Sequence, residues 1–293
     1  MQISFLNKNF KTILLFTILI LVFYRSPHIF LNGRFVGEEG SFWFRNSYLF
    51  GPIVGLTQVF WGSGYFNLWA NISSVIASFV PLNYSPLVTV YFAFAVQLYL
   101  FIFIIFSKSD FIITNIDKVL ISLIVLLSPC MVAEVWLNTL TSQVYFTILT
   151  ILIYFQKDVS NSIFNKLSPI IVLISGLSSI LPCVLSPFFI YKYFNNKIKL
   201  NLYNLFAIVI ATIFQSIIYL YAKINNLDEV SVWGTGNPRR EFLFSEGATI
   251  RGANADPVVL DYIKINDTDA SGATVSRFCI LPYHNFGATL SRF

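Results

Sequence analysis

The chain has 293 residues, 56% of them hydrophobic and only 11% charged, with a formal net charge of +5. A mean hydropathy of +0.71 excludes an ordinary soluble domain, because too few polar residues remain to cover a core of that size. The sequence holds no P-loop, no GxSxG and no HExxH, so nucleotide hydrolysis, serine hydrolysis and zinc proteolysis lack support. No nucleic-acid partner is expected.

Taken in chain order, the apolar runs are residues 12–24, 66–81, 87–107, 116–133, 144–155, 169–193 and 202–222. A helix that crosses a bilayer needs about 20 apolar residues at 1.5 Å rise each, and only 87–107 and 202–222 reach that length cleanly. The first run, preceded by Lys8 and Lys11, has the length of a signal-peptide core. No small-x-small cleavage site follows it, and Tyr24-Arg25-Ser26-Pro27-His28 marks it as an uncleaved first span. Residues 169–193 are interrupted by Pro182 and Pro187, which predicts two short antiparallel arms turning between the prolines.

Charge placement orders these runs. With the N-terminus inside and a hairpin at Pro182–Pro187, Lys8, Lys11, Lys108, Lys118, Lys157, Lys166, Lys192, Lys197 and Lys199 fall on the inner face. Only Arg25, Arg34, Arg45 and Lys223 fall outside, the expected positive-inside bias. The same layout makes 66–81 an interfacial segment, with Asn67, Asn71, Ser73, Ser74 and Ser78 in a half-wet position. The predicted fold is an all-α polytopic membrane protein with about seven transmembrane helices, two of them the arms of the hairpin. Its expected place is a bacterial inner membrane, with the N-terminus cytoplasmic.

Composition changes after Lys223. Residues 1–224, read as the multi-span membrane domain, carry 13 Lys and Arg against 6 Asp and Glu, whereas residues 225–293 carry 6 against 8. This polar tail has strand-like pieces at 258–265 and 275–281 between turn formers, and is expected to be a small irregular α/β or disordered segment. Cys130, Cys183 and Cys279 are odd in number and mostly in apolar settings. They read as buried thiols, not as a disulfide framework or a metal site.

No charge occurs between Arg45 and Lys108, so the adjacent acids Glu38 and Glu39 in the first outer loop stand out. Gly37 and Gly40 bracket them and permit a tight turn that aims them. A carboxylate in a desolvated place can be raised towards neutrality and take a proton from a hydroxyl. Arg25, Arg34 and Arg45 flank the pair, and guanidinium forks suit phosphate oxygens. The competing reading is a solvated loop whose charges pair with each other, while Trp43, Trp61 and Trp69 form an interfacial belt. A second polar island, Glu134-Val135-Trp136-Leu137-Asn138-Thr139-Leu140-Thr141-Ser142-Gln143, is predicted on the same face. Its Trp136, Asn138 and Gln143 can stack on or hydrogen-bond a sugar, or the segment is a polar turn capping two helices.

An inside N-terminus, an acidic pair then Gly in the first outer loop (Glu38-Glu39-Gly40), the following Phe42 and Trp43, and many short spans resemble the GT-C class of integral-membrane glycosyltransferases. The likeness covers about residues 8–222. Many members have Asp where this chain has Glu39, and they continue into further spans. The resemblance implies inverting transfer of a sugar from a polyprenyl-phosphate donor to a cell-envelope glycan or lipid acceptor, in contact with membrane lipid. Glu39 would be the general base, Glu38 its partner or a metal ligand, and Arg34 and Arg45 the donor-phosphate contacts. A divalent metal sometimes assists in the class. The rivals are a transporter or flippase for a lipid-linked sugar and an inactive fragment. A transporter should show mid-membrane ionisable groups or an inverted repeat, and neither is evident.

In the tail, Val230-Ser231-Val232-Trp233-Gly234-Thr235-Gly236-Asn237-Pro238-Arg239-Arg240-Glu241-Phe242-Leu243 is similar to a stretch in GDP-fucose synthases. The cofactor turn of that family is missing. The two Tyr-x-x-x-Lys matches, Tyr193 with Lys197 and Tyr219 with Lys223, sit at predicted span ends. No reductase activity is carried over; the likeness reads as a fused or frame-disrupted gene or as coincidence, and either leaves the tail without an assigned function.

Overall fold

The computed structural model describes residues 2–127, 136–159, 162–225 and 227. The strand-like tail pieces, the GDP-fucose-synthase-like stretch, Cys130, Cys279 and Glu134 lie outside the described residues. The chain divides into two compact units, residues 1–59 with 65–217 and residues 60–64 with 218–293.

The long first helix α1 (Gln2–Arg25) is followed by short α2 (Pro27–Asn32). A one-turn π-helix (Glu39–Phe44) then runs into α3 (Arg45–Phe50) and α4 (Pro52–Thr57). Strands β1 (Val59–Phe60) and β2 (Tyr65–Phe66) lead to α5 (Leu68–Ser78), α6 (Ser85–Phe106) and α7 (Asn115–Leu127). After these come α8 (Ser142–Tyr154), α9 (Ile163–Ser178), one-turn α10 (Ile180–Cys183), α11 (Ser186–Asn195) and α12 (Lys199–Ile224). Two helices, α6 and α12, are long and apolar enough to cross a membrane, and α9 with α10 and α11 is a third if that bent pair is one span. The described chain is thus mostly helical, with two or three membrane-capable helices.

Two sequence expectations change. The chain turns at Ser179, before the prolines, by 119°. Ser179 is extended, and its hydroxyl oxygen accepts from the Leu181 amide to start the next helix. Pro182 and Pro187 instead lie in the first turns of α10 and α11, where a missing amide hydrogen leaves no carbonyl unpartnered. Nor is the segment 66–81 half-wet. Its helix α5 has 11 residues, about 16 Å, and Asn67, Asn71, Ser73 and Ser74 are fully enclosed. The Asn71 amide donates to the carbonyls of Leu56 and Gln58 at 3.0 and 2.9 Å, so the neighbouring chain, not water, satisfies it.

Helix α6 forms the middle of the first unit, burying Val90, Val96, Leu100, Phe101, Phe103, Ile104 and Ile105. In α12, Ala207, Ile208 and Ala211 turn inward, while Phe206, Ile210, Ile213 and Ile217 form an exposed apolar stripe at helical spacing. Gly176 of α9 lets Ala211 approach; a Cβ there would collide with it.

The first unit has two distinct ends. Where α6 and α8 finish, Lys118 donates to the Ile105 carbonyl at 2.9 Å and Lys192 to that of Tyr154. Lys157 pairs with Asp110 at 3.1 Å, its amide bonds the Lys108 carbonyl, and Lys11 lies 5.9 Å from the Phe106 ring centre. Of the lysines expected on one face, Lys11, Lys108, Lys118, Lys157 and Lys192 therefore gather at one end. At the other end, where α6 and α8 begin, Gly33 (φ +63°) sits against Pro86 and Leu87, and a Cβ there would come within 2.6 Å of the Leu87 nitrogen.

In the second unit Gly64 (φ +62°) lies against Tyr219 and Ala222, and the Trp61 and Tyr221 rings are 5.4 Å apart.

Candidate functional site

The two polar islands, a hundred residues apart in sequence, meet. Glu39 opens the π-helix, and its Oε1 accepts two hydrogen bonds from Thr139, one from the backbone amide at 3.0 Å and one from the hydroxyl. The second oxygen, Oε2, is enclosed and has no hydrogen-bond partner. Glu39 as a whole is 1% exposed.

Burial pushes the Glu39 carboxyl up to about 7, against the opposing pull of the Thr139 hydrogen bonds, the Val36 backbone and the Arg34 charge. Removing a carboxylate from water disfavours its ionised form, and here that cost exceeds the gain from its donors. A carboxyl that exchanges its proton near neutrality can serve as a general base or acid. Glu38, next to it, is half-buried. Its charge, after burial, helps to raise the Tyr65 hydroxyl well above its ordinary value.

The bracketing glycines act in different ways. Gly37 (φ +53°) supplies a left-handed turn with open space around it. Gly40 lies inside the π-helix with Phe35 close by; a Cβ there would stand 2.9 Å from the Phe35 Cβ. The π-turn itself had no signal in the sequence. Such turns recur at functional sites in helices.

Arg34 and Arg25 are engaged with the second island. Arg34 is buried and donates from Nη2 to the Trp136 carbonyl at 3.0 Å. Arg25 donates from Nη1 to the Leu126 carbonyl, and its guanidinium lies 4.1 Å from the Trp136 ring centre, within cation–π range. Arg45 is half-buried and reaches Asn46 Oδ1 at 3.4 Å. Between these anchors Leu137 takes φ +54°, a left-handed conformation that costs a side-chain-bearing residue roughly 1–2 kcal/mol.

The sugar-contact candidates have internal partners too. Asn138 Oδ1 accepts from the Leu140 amide at 2.6 Å, and the Asn138 carbonyl accepts from the hydroxyls of Thr141 and Ser142. These bonds hold a polar turn just before α8, whose N-cap Thr141 makes no side-chain capping bond. Gln143 Oε1 accepts from the Ser179 hydroxyl at 3.1 Å. Trp136 is buried, and Trp43 and Trp69 also turn inward and so do not join a belt. Thr139 was one polar residue among several in the sequence; only the fold singles it out as the partner of Glu39.

Among the described residues no group of three His, Cys, Asp or Glu side chains lies close enough to hold a metal ion. With Oε1 of Glu39 already held by Thr139, a divalent metal does not fit the described donors. No protein-family model, curated protein or solved structure matches this chain.

Proposed function

We propose that this chain is a multi-span membrane protein of the GT-C kind, which transfers a sugar from a polyprenyl-phosphate donor to a cell-envelope glycan or lipid acceptor. The observation that carries the reading is Glu39, a carboxyl near neutrality with one oxygen held and the other lacking a partner. It lies at the end of the helices opposite the gathered lysines. In this reading the lysine end is cytoplasmic, the N-terminus lies with it, and the membrane is a bacterial inner membrane. Then α1, α7 and α8 also cross, α9 rises, and α10 with α11 returns, giving about seven crossings.

The chemistry assigned to the site is a single displacement. An acceptor hydroxyl gives its proton to Glu39 Oε2 while its oxygen attacks the anomeric carbon. The bond from that carbon to the donor phosphate breaks, and polyprenyl phosphate leaves with the bonding pair. Arg45, half-buried beside the π-helix, is the proposed contact for the leaving phosphate. Arg34 holds the Trp136 carbonyl and favours the ionised form of Glu39. Because Glu39 is enclosed, the acceptor reaches it only when the segment 136–143 parts from the first loop.

The test is transfer from polyprenyl-phosphate sugars in membranes holding wild-type chain or Glu39→Gln at matched expression. Loss of transfer in the variant is the expected result. Unchanged transfer would leave Glu39 as a structural tie between two loops, and a wild-type chain without any transfer would favour the fragment or transporter reading.

A further inference from the structure

Helices α3 and α4 form a short hairpin of six residues each, turning at Gly51 (φ +86°) and Pro52. Gly55 makes the turn compact, since a Cβ there would collide with Ser47 of α3 and with Val75 of α5. The inner face therefore rests on its own partner arm and on α5.

The outer face is apolar. Tyr48, Leu49, Phe50, Ile53, Val54 and Leu56 are exposed, Phe50 by 60% and Ile53 by 78%. Polar side chains in the hairpin are turned back onto the backbone: the Ser47 hydroxyl donates to the Trp43 carbonyl at 2.9 Å and the Thr57 hydroxyl to the Ile53 carbonyl at 2.9 Å. Thr57 is exposed, and this back-bond leaves its hydroxyl hydrogen satisfied without water, so it does not oppose a place in hydrocarbon. No charged residue lies between Arg45 and Lys108, so beyond Arg45 at its start the hairpin carries no charge that resists transfer into hydrocarbon. Each arm spans about 9 Å, too short to cross.

We propose that the hairpin 45–57 dips into the lipid leaflet at the Glu39 end and contacts acyl chains through Phe50 and Ile53. The occupant of this face is lipid, not a second copy or another protein: apart from the Tyr48 hydroxyl, the face carries no charge or polar side chain that would set a protein partner's register. The hairpin follows the π-helix directly, so the exposed apolar face begins at Tyr48, in the helix that continues from the Glu39 turn. This inference does not depend on sugar transfer.

The test uses the full chain in phosphatidylcholine vesicles, with Cys130, Cys183 and Cys279 replaced by Ser. A nitroxide is attached at Phe50→Cys or Ile53→Cys, with Gly37→Cys as the exposed reference. Collision with dissolved oxygen, which concentrates in hydrocarbon, is compared with collision with a water-soluble nickel chelate. The expected result is a several-fold excess of oxygen collisions at 50 and 53 over those at 37. A chelate excess at 50 and 53 would place the hairpin in water and overturn the proposal. Protection from both reagents would also overturn it, by showing a protein on that face. Gly37→Cys is strained, so Ser41→Cys serves as a second reference if the first variant fails to fold.

Discussion

Both ends of the first unit enclose charged side chains, and they settle the charge differently. Lys118 and Lys192 donate to the carbonyls of Ile105 and Tyr154, which belong to the last turns of α6 and α8 and have no amide partner within their helices. Those turns are also the negative ends of the helix dipoles. Each ammonium thus meets acceptors that the fold had to satisfy in any case. Glu39 has no such provision. Thr139 fills one oxygen, the other has no partner, and burial holds the carboxyl at about 7. A buried charge whose needs are met is a structural device. One left half-met is where proton chemistry is to be sought.

The largest effect is expected at Glu39. Glu39→Gln should reduce sugar transfer by about 10²–10⁴-fold, the scale of losing a general base, while Lys118→Met and Lys192→Met leave the rate within about twofold. Equal losses at the two ends would break the comparison, because the rate would then follow the integrity of the helices and not the carboxyl.

The second effect is on pH dependence. As a base, Glu39 must be ionised, so kcat/KM should fall about tenfold per pH unit below about 7 and level off above it. Stability runs the other way. A carboxyl whose folded value is raised from 4.5 to about 7 contributes stability that is fully present below about 4.5 and lost as pH rises through about 7. The loss is on the order of 3 kcal/mol. Thermal unfolding in detergent at pH 5 and pH 8 should show this slope in the wild type and a flatter one in Glu39→Gln. The same slope in both would mean that another group carries it.

A third effect isolates the half of the carboxyl that is satisfied. Thr139→Val removes the hydroxyl donor and keeps the backbone amide. A hydrogen bond to a charged group is worth about 1.5–3 kcal/mol, which corresponds to an upward shift of about one to two pH units in the acid limb of the rate profile. Thr139→Ser should restore the wild-type profile. A lowered rate with an unmoved limb in Thr139→Val would make Thr139 a packing residue only.

What the sequence made legible follows from scarcity and symmetry of charge. Glu39 stood out because acids are rare in this chain, and the lysines of one end could be grouped because basic residues sort by face. The polar island at 136–143 was visible as a break in an apolar run. Its pairing with Glu39 was not, since nothing local encodes a contact between residues 39 and 139. Arg34 reads in the sequence as a phosphate fork, yet its guanidinium reaches the Trp136 carbonyl, beside the left-handed Leu137, which no side-chain pattern marks. The turn at Ser179 escaped because proline reads as a breaker, although in a first helical turn it is a starter. The α5 polar residues read as half-wet because their acceptors, such as the carbonyls of Leu56 and Gln58, come from outside their own helix.

The smallest effect belongs to the lysine end. Lys118→Met keeps the length and apolar stem of the side chain and removes the ammonium. One hydrogen bond to the Ile105 carbonyl is lost, worth about 0.5–1.5 kcal/mol. Against this, the variant no longer encloses a charge, and it relieves the repulsion from the neighbouring Lys11. The two contributions oppose each other, so the net change in unfolding stability should stay within about 1 kcal/mol. Glu39→Gln sharpens the contrast, since above pH 7 it removes an enclosed negative charge with one unpartnered oxygen and should raise stability. Thermal unfolding of both variants at pH 8 measures the pair. A loss of several kcal/mol in Lys118→Met would mean that its ammonium holds an anionic partner beyond the helix carbonyl, and the lysine end would then be the more demanding of the two.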